Sequence, residues 1–201
     1  MAQIHLDRLR ARPLSWSSIS SWEYDRERWA KKYLENVVEP PSKAMDFGKV
    51  IGERLASDPS FLPSVPRLPI FEHGIKYTFA GIPLVGYIDS YCPDTPAFYE
   101  YKTSGNVKKW NKKSVKEHGQ IDMYAMLIYV AHGIPPEKLT IKLVYIPVVE
   151  SGSFELEIGK ESVQVFPVKK TMKDVLMFAS KLKKTYKDME EFAKEYNSIS
   201  T

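Results

Sequence analysis

The chain has 201 residues, of which 43% are hydrophobic and 12% aromatic, enough to bury the core of one domain spanning residues 1–201. Its net charge of +4 and pI near 8.9 permit a polyanionic partner without demanding one. No run approaches the roughly eighteen apolar residues of a membrane span, and residues 1–13 lack the apolar centre of a secretory signal. Cys92 stands alone, which excludes an intrachain disulfide framework. A cytoplasmic protein without membrane contact is expected.

Residues 1–13 carry Arg8, Arg10 and Arg12 at alternate positions and read as irregular. Ser17 or Ser18 can cap a helix expected to reach about Glu35, with Ile19, Trp22, Trp29 and Tyr33 in its apolar positions. A helix over 43–57 brings Phe47, Ile51 and Leu55 to one side and leaves Glu53 off that line. Residues 58–69 contain Pro63, Pro66 and Pro69 and read as loop. Strands over 70–73, 76–80 and 83–91 follow as an antiparallel meander, with His73 at a turn.

The meander ends on Gly86-Tyr87-Ile88-Asp89, where a carboxylate closes an apolar run. A second strand over 97–102 holds Glu100 and Lys102 two residues apart, so both project from one face. If the two strands are neighbours across the turn after Cys92, Asp89 faces the same space. Charges beside an apolar sheet are paired or hold a metal. The residue types suit a hard divalent cation, with Asp89 and Glu100 as ligands and the Tyr101 carbonyl as a further oxygen. Lys102 would sit beside the attacking water. A partly exposed Asp beside an ordinary Glu–Lys strand pair is the plainer alternative.

From Lys102 to Lys116 the chain holds six lysines, no acid, and Trp110. Lys108, Lys109, Lys112 and Lys113 suit phosphates, and Trp110 suits stacking on a base. A solvated loop with Trp110 folded onto the core is the alternative. A helix over 114–132 follows, with Gln120 and Tyr124 one turn apart, able to contact a phosphate or to hold Lys102 in place. His118 and Asp122 fall at i, i+4 as surface neighbours. A strand over 139–149, a hairpin of 152–158 with 163–168, and a helix over 171–197 complete an α/β chain with a small mixed sheet.

Gly86-Tyr87-Ile88-Asp89, Glu100-Tyr101-Lys102-Thr103-Ser104 and Gln120-x-x-x-Tyr124 together resemble the PD-(D/E)XK nuclease superfamily, in its RecB-like exonuclease branch. Leu14–Ile19 and Gly48–Glu53 extend the similarity over residues 14–130. The resemblance implies a restriction-endonuclease-like core with helices on both sheet faces. It implies hydrolysis of DNA, single-stranded or at duplex ends, with Mg²⁺ or Mn²⁺. Catalytic roles would fall on Asp89, Glu100, Lys102, Gln120 and Tyr124. The branch usually carries a metal-binding His where this chain has Gly52, so Glu53 becomes the substitute ligand. Members with an iron–sulfur cluster use four cysteines, and one cysteine cannot hold such a cluster. A non-catalytic nucleic-acid-binding or assembly subunit that keeps the fold is the rival reading.

Overall fold

The computed structural model describes residues 2–150, 156–159 and 162–196. Four helices come first: α1 (Ala2–Ala11), α2 (Trp16–Tyr24), α3 (Arg26–Tyr33) and α4 (Lys43–Ser57). The stretch expected to be irregular is therefore helical. Its arginines lie on the exposed side, Arg8 donating to the Leu34 carbonyl and Arg10 reaching Glu190 at 2.8 Å, while His5, Leu6 and Leu9 are buried. Packing against the C-terminal helix supplies what the local pattern lacked. The helix expected to reach Glu35 is divided at Asp25. An extended backbone there ends α2, and the Asp25 carboxylate accepts the Arg28 N–H at 3.0 Å to cap α3.

β1 (Ile70–Phe79), β2 (Ile82–Cys92) and β3 (Ala97–Ser104) form an antiparallel meander, but not the expected one, because the strands expected over 70–73 and 76–80 are joined and 97–104 supplies the third. β1 is one strand running through Gly74, and His73 lies inside it, stacked on Tyr91 at 4.4 Å between ring centroids. A short 3₁₀ turn and α5 (Lys112–Lys116) precede α6 (Gly119–His132), so the helix expected over 114–132 is two. Glu117 ends the first, and Gly133, at φ +70°, ends the second in the left-handed region. α6 then returns the chain to β4 (Thr140–Glu150), which lies parallel to β3.

β5 (Leu156–Ile158) and β6 (Gln164–Val168) each pair antiparallel with β4; among the described residues they do not pair with one another as the hairpin expectation had it. β4 runs eleven residues and offers each a separate stretch, 148–150 and 141–145. Residues 152–155 of the expected hairpin lie outside the described residues. α7 (Met172–Glu195) starts at Thr171, which makes a capping box with Asp174; the expected end at Asn197 also lies outside them.

The sheet is mixed, in the order β1-β2-β3-β4-β5 with β6 also on β4. One face packs Leu84, Ile88, Phe98 and Leu143 against apolar residues of α1, α2, α3, α6 and α7. The other places Tyr99, Val144 and Ile146 against Ile51 and Leu55 of α4. Helices on both faces match the α/β expectation. Among the described residues, no helix is long and apolar enough to cross a membrane.

Candidate active site

β2 and β3 pair from Cys92–Ala97 as far as Ser90–Tyr99, and there the ladder stops. One residue further, Asp89 Oδ2 accepts the Tyr101 N–H at 2.7 Å, so a side chain takes the place of a strand carbonyl. Glu100 is 1% exposed; its Oε1 lies 2.7 Å from Lys102 Nζ, while its Oε2 is buried without a hydrogen-bond partner. Lys102 Nζ donates to Gln120 Oε1 at 2.7 Å, Gln120 Nε2 to the Tyr124 hydroxyl at 2.9 Å, and that hydroxyl to the Tyr87 carbonyl at 2.5 Å. Each link has one donor and one acceptor, so the relay fixes the amide orientation of Gln120.

Gly86 makes this relay possible. A Cβ there would sit 2.9 Å from Tyr124 Cε1 and 2.8 Å from Leu127 Cδ1. Only a bare Cα lets α6 lie close enough for Tyr124 to reach the neighbouring carbonyl.

Burial, then the charge of Glu100, pushes the Asp89 carboxyl well above its ordinary range, and the Tyr101 N–H opposes this only in part. Burial also raises Glu100, against the pull of Lys102. For Lys102 burial acts downward but is outweighed by Glu100, so the ammonium is held in its charged form. Tyr124 is raised by burial and by Glu100, and stays a neutral phenol. One lysine thus faces the buried Glu100 and the half-buried Asp89 carboxyls, and a protonated Asp89 can donate to Glu100.

Asp89, Glu100, Tyr101 and Lys102 line a cavity of about 430 Å³. Its oxygen donors and the unpartnered Glu100 Oε2 fit a hard divalent cation. Among the described residues, no three His, Cys, Asp or Glu side chains make a closed cage. The arrangement suits an open site, completed by water and substrate oxygens.

Glu53 is not brought there. Its side chain is 65% exposed and sits 3.8 Å from Lys49 Nζ, on the solvent side of α4. The helix turns Gly48, Lys49 and Gly52 to the cavity instead, and a Cβ on Gly52 would meet nothing within 4 Å. Glu72 takes a place that the sequence reading missed. It lines the cavity, and pairing of Phe71 with Ser90 and His73 with Ile88 sets it opposite Asp89. Its charge raises both Asp89 and Glu100, and its φ is +52°, a left-handed backbone in mid-strand. The signal was an acid in the apolar run Ile70-Phe71, legible once the register is known.

Lys108, Lys109, Lys112 and Lys113 are exposed on the 3₁₀ turn and α5. Trp110 is not: it is 8% exposed, with its edge against His118 at 5.1 Å between centroids. The core claims the indole, which corrects its assignment to base stacking. His118 is not a surface neighbour of Asp122 either. It lies between Trp16 and Trp110, where burial and then Lys102 push its imidazole down to about 4. Asp122 pairs with buried Lys170 at 2.5 Å.

No protein-family model and no curated protein matches the chain. Solved structures do. A candidate exonuclease of Eubacterium rectale superposes with a TM-score of 0.55 at 11% identity, covering 94% of this chain and 84% of its own. A phage-related exonuclease from Haemophilus somnus 129PT gives 0.53 at 11% identity, over 94% and 91%. The chain shares the fold of these two proteins. Within that fold, the clustered charges gather where β2 and β3 part, beside the N-terminal turn of α6.

Proposed function

We propose that the protein is a divalent-metal-dependent nuclease that hydrolyses DNA phosphodiester bonds, an exonuclease of the RecB-like PD-(D/E)XK type. The observation that carries this reading is the pairing of buried Glu100 with half-buried Lys102, extended through Gln120 and Tyr124, beside Asp89 in an open cavity. Mg²⁺ or Mn²⁺ held by Asp89 and Glu100, with the Tyr101 carbonyl, would supply Lewis-acid activation of water and charge compensation at phosphorus.

The chain's own residues do the rest. Lys102 remains a charged donor, aimed by Glu100 on one side and Gln120 on the other, and orients the attacking water or a phosphate oxygen. Tyr124 and the Tyr87 carbonyl keep Gln120 from turning its amide around. Glu72 adds negative charge at the cavity rim, where a further cation or its hydration shell can rest. Lys108, Lys109, Lys112 and Lys113 draw the polyanion toward this opening.

Closed circular DNA and end-labelled linear DNA, incubated with Mg²⁺, Mn²⁺ or EDTA, test the reading. An exonuclease degrades the linear DNA from its ends, spares closed circles and stops in EDTA. Cut circles would indicate an endonuclease. Binding without cleavage in either metal would favour the non-catalytic subunit.

A further inference from the structure

Beside the carboxylate cavity lies a larger one of about 720 Å³, and Lys102 and Gln120 line both. No carboxylate lines it, whereas Lys102 and Lys109 do. Two tyrosines on its wall are left open. Tyr24, at the last turn of α2, is 86% exposed, and Tyr87, on β2, is 52% exposed. Tyr87 precedes Asp89 by two residues, so both side chains leave the same strand face about 7 Å apart, the advance of roughly two stacked nucleotides. The Tyr87 ring lies over Gly74 of the paired strand, where a Cβ would be 3.2 Å from Cε1. It is a supported flat surface. Aromatic area of this kind, in a cavity lined by lysines and by no carboxylate, is what an unpaired base stacks upon.

We propose that Tyr24 and Tyr87 form a stacking platform for unpaired bases of a DNA strand whose backbone passes Lys102 toward Asp89 and Glu100. The strand's destination rests on the nuclease reading; the stacking does not. In a duplex interior both faces of each base are already covered by neighbours, so the platform selects a single-stranded end. It also takes over the role that the order of residues assigned to Trp110, which the core has claimed.

The test is binding in EDTA to two fluorescent strands of equal length, oligo-dT and a fully abasic strand with the same phosphates. The wild type should bind oligo-dT about tenfold or more tightly over the abasic strand. Tyr24→Ala and Tyr87→Ala should each reduce that ratio and leave affinity for the abasic strand unchanged, while Tyr24→Phe and Tyr87→Phe keep it. Tyr87→Ala uncovers Gly74, so Tyr24→Ala, at an exposed position, keeps the test independent of folding. Equal wild-type affinity for the two strands, or an undiminished ratio in the double Ala variant, overturns the proposal. A persistent ratio that the Ala variants reduce, in a protein that cuts no DNA with Mg²⁺ or Mn²⁺, supports the platform and counts against the nuclease.

Discussion

Asp89 carries the sharpest consequences at the scale of single residues. Its carboxyl is raised in the folded protein, so the folded state holds a proton that the unfolded chain releases. Metal-free protein should therefore lose stability as pH rises from the ordinary carboxylate range through the raised value. Asp89→Asn should abolish cleavage and flatten this decline, read as melting temperature against pH in EDTA. A decline identical in both proteins would detach Asp89 from the effect. His118 works in the opposite sense. Its imidazole is pushed down to about 4, so acid favours the unfolded chain, and stability should fall as pH drops below about 6.5. His118→Phe should flatten that acid limb. Lys102→Ala should keep cation binding, measured by calorimetry, and lose turnover.

At the scale of elements, α4 and α6 decide what reaches the cavity. Gly52 faces it with open space where a side chain would stand. Gly52→His should fill that space with an imidazole and, by replacing a helical glycine, gain roughly a few tenths of a kcal/mol. The expected outcome is a lower metal concentration for half-maximal cleavage; an unchanged or higher one would mean that α4 does not serve the metal. Gly86→Ala should do the reverse to α6. Overpacking against Tyr124 and Leu127 should cost about 1–3 kcal/mol, measured by denaturant unfolding, and loosen the Gln120–Lys102 contact.

Much of this was legible in the sequence. Asp89, Glu100 and Lys102 stood out because charges interrupt apolar strands, and Gln120 with Tyr124 because helical spacing puts them on one face. Glu53 and Glu72 show where that reasoning ends. Glu53 neighbours the position of interest in sequence but lies about 100° around the helix. Glu72 is distant in sequence, and only strand register sets it against Asp89. Trp110 was misjudged because burial of an aromatic ring is decided by α6 and α2, which surround it only after folding. α1 was missed for the same reason, since its apolar side becomes useful only beside α7.

The whole molecule sets the electrostatics. Its positive balance is small, so the lysines flanking Trp110 must supply much of any phosphate attraction. Replacing Lys108, Lys109, Lys112 and Lys113 together with Ala should flatten the salt dependence of DNA binding by about 0.7–0.9 log–log units per lost contact. An unchanged slope would return these lysines to ordinary solvation. A divalent cation that binds only the folded site should raise the melting temperature by mass action, progressively as its concentration exceeds the dissociation constant.

The hydrogen bond from the Tyr101 amide to Asp89 makes that one amide proton a built-in gauge. Its neighbours along β3 answer to the backbone ladder, whereas this proton answers to a carboxylate with another claim upon it. Its resonance should move on titration with Mg²⁺ in nuclear magnetic resonance spectra, and its exchange with deuterium should change while that of Leu143 and Val144 in β4 stays constant. The occupancy of the site could then be followed in solution without any substrate at all.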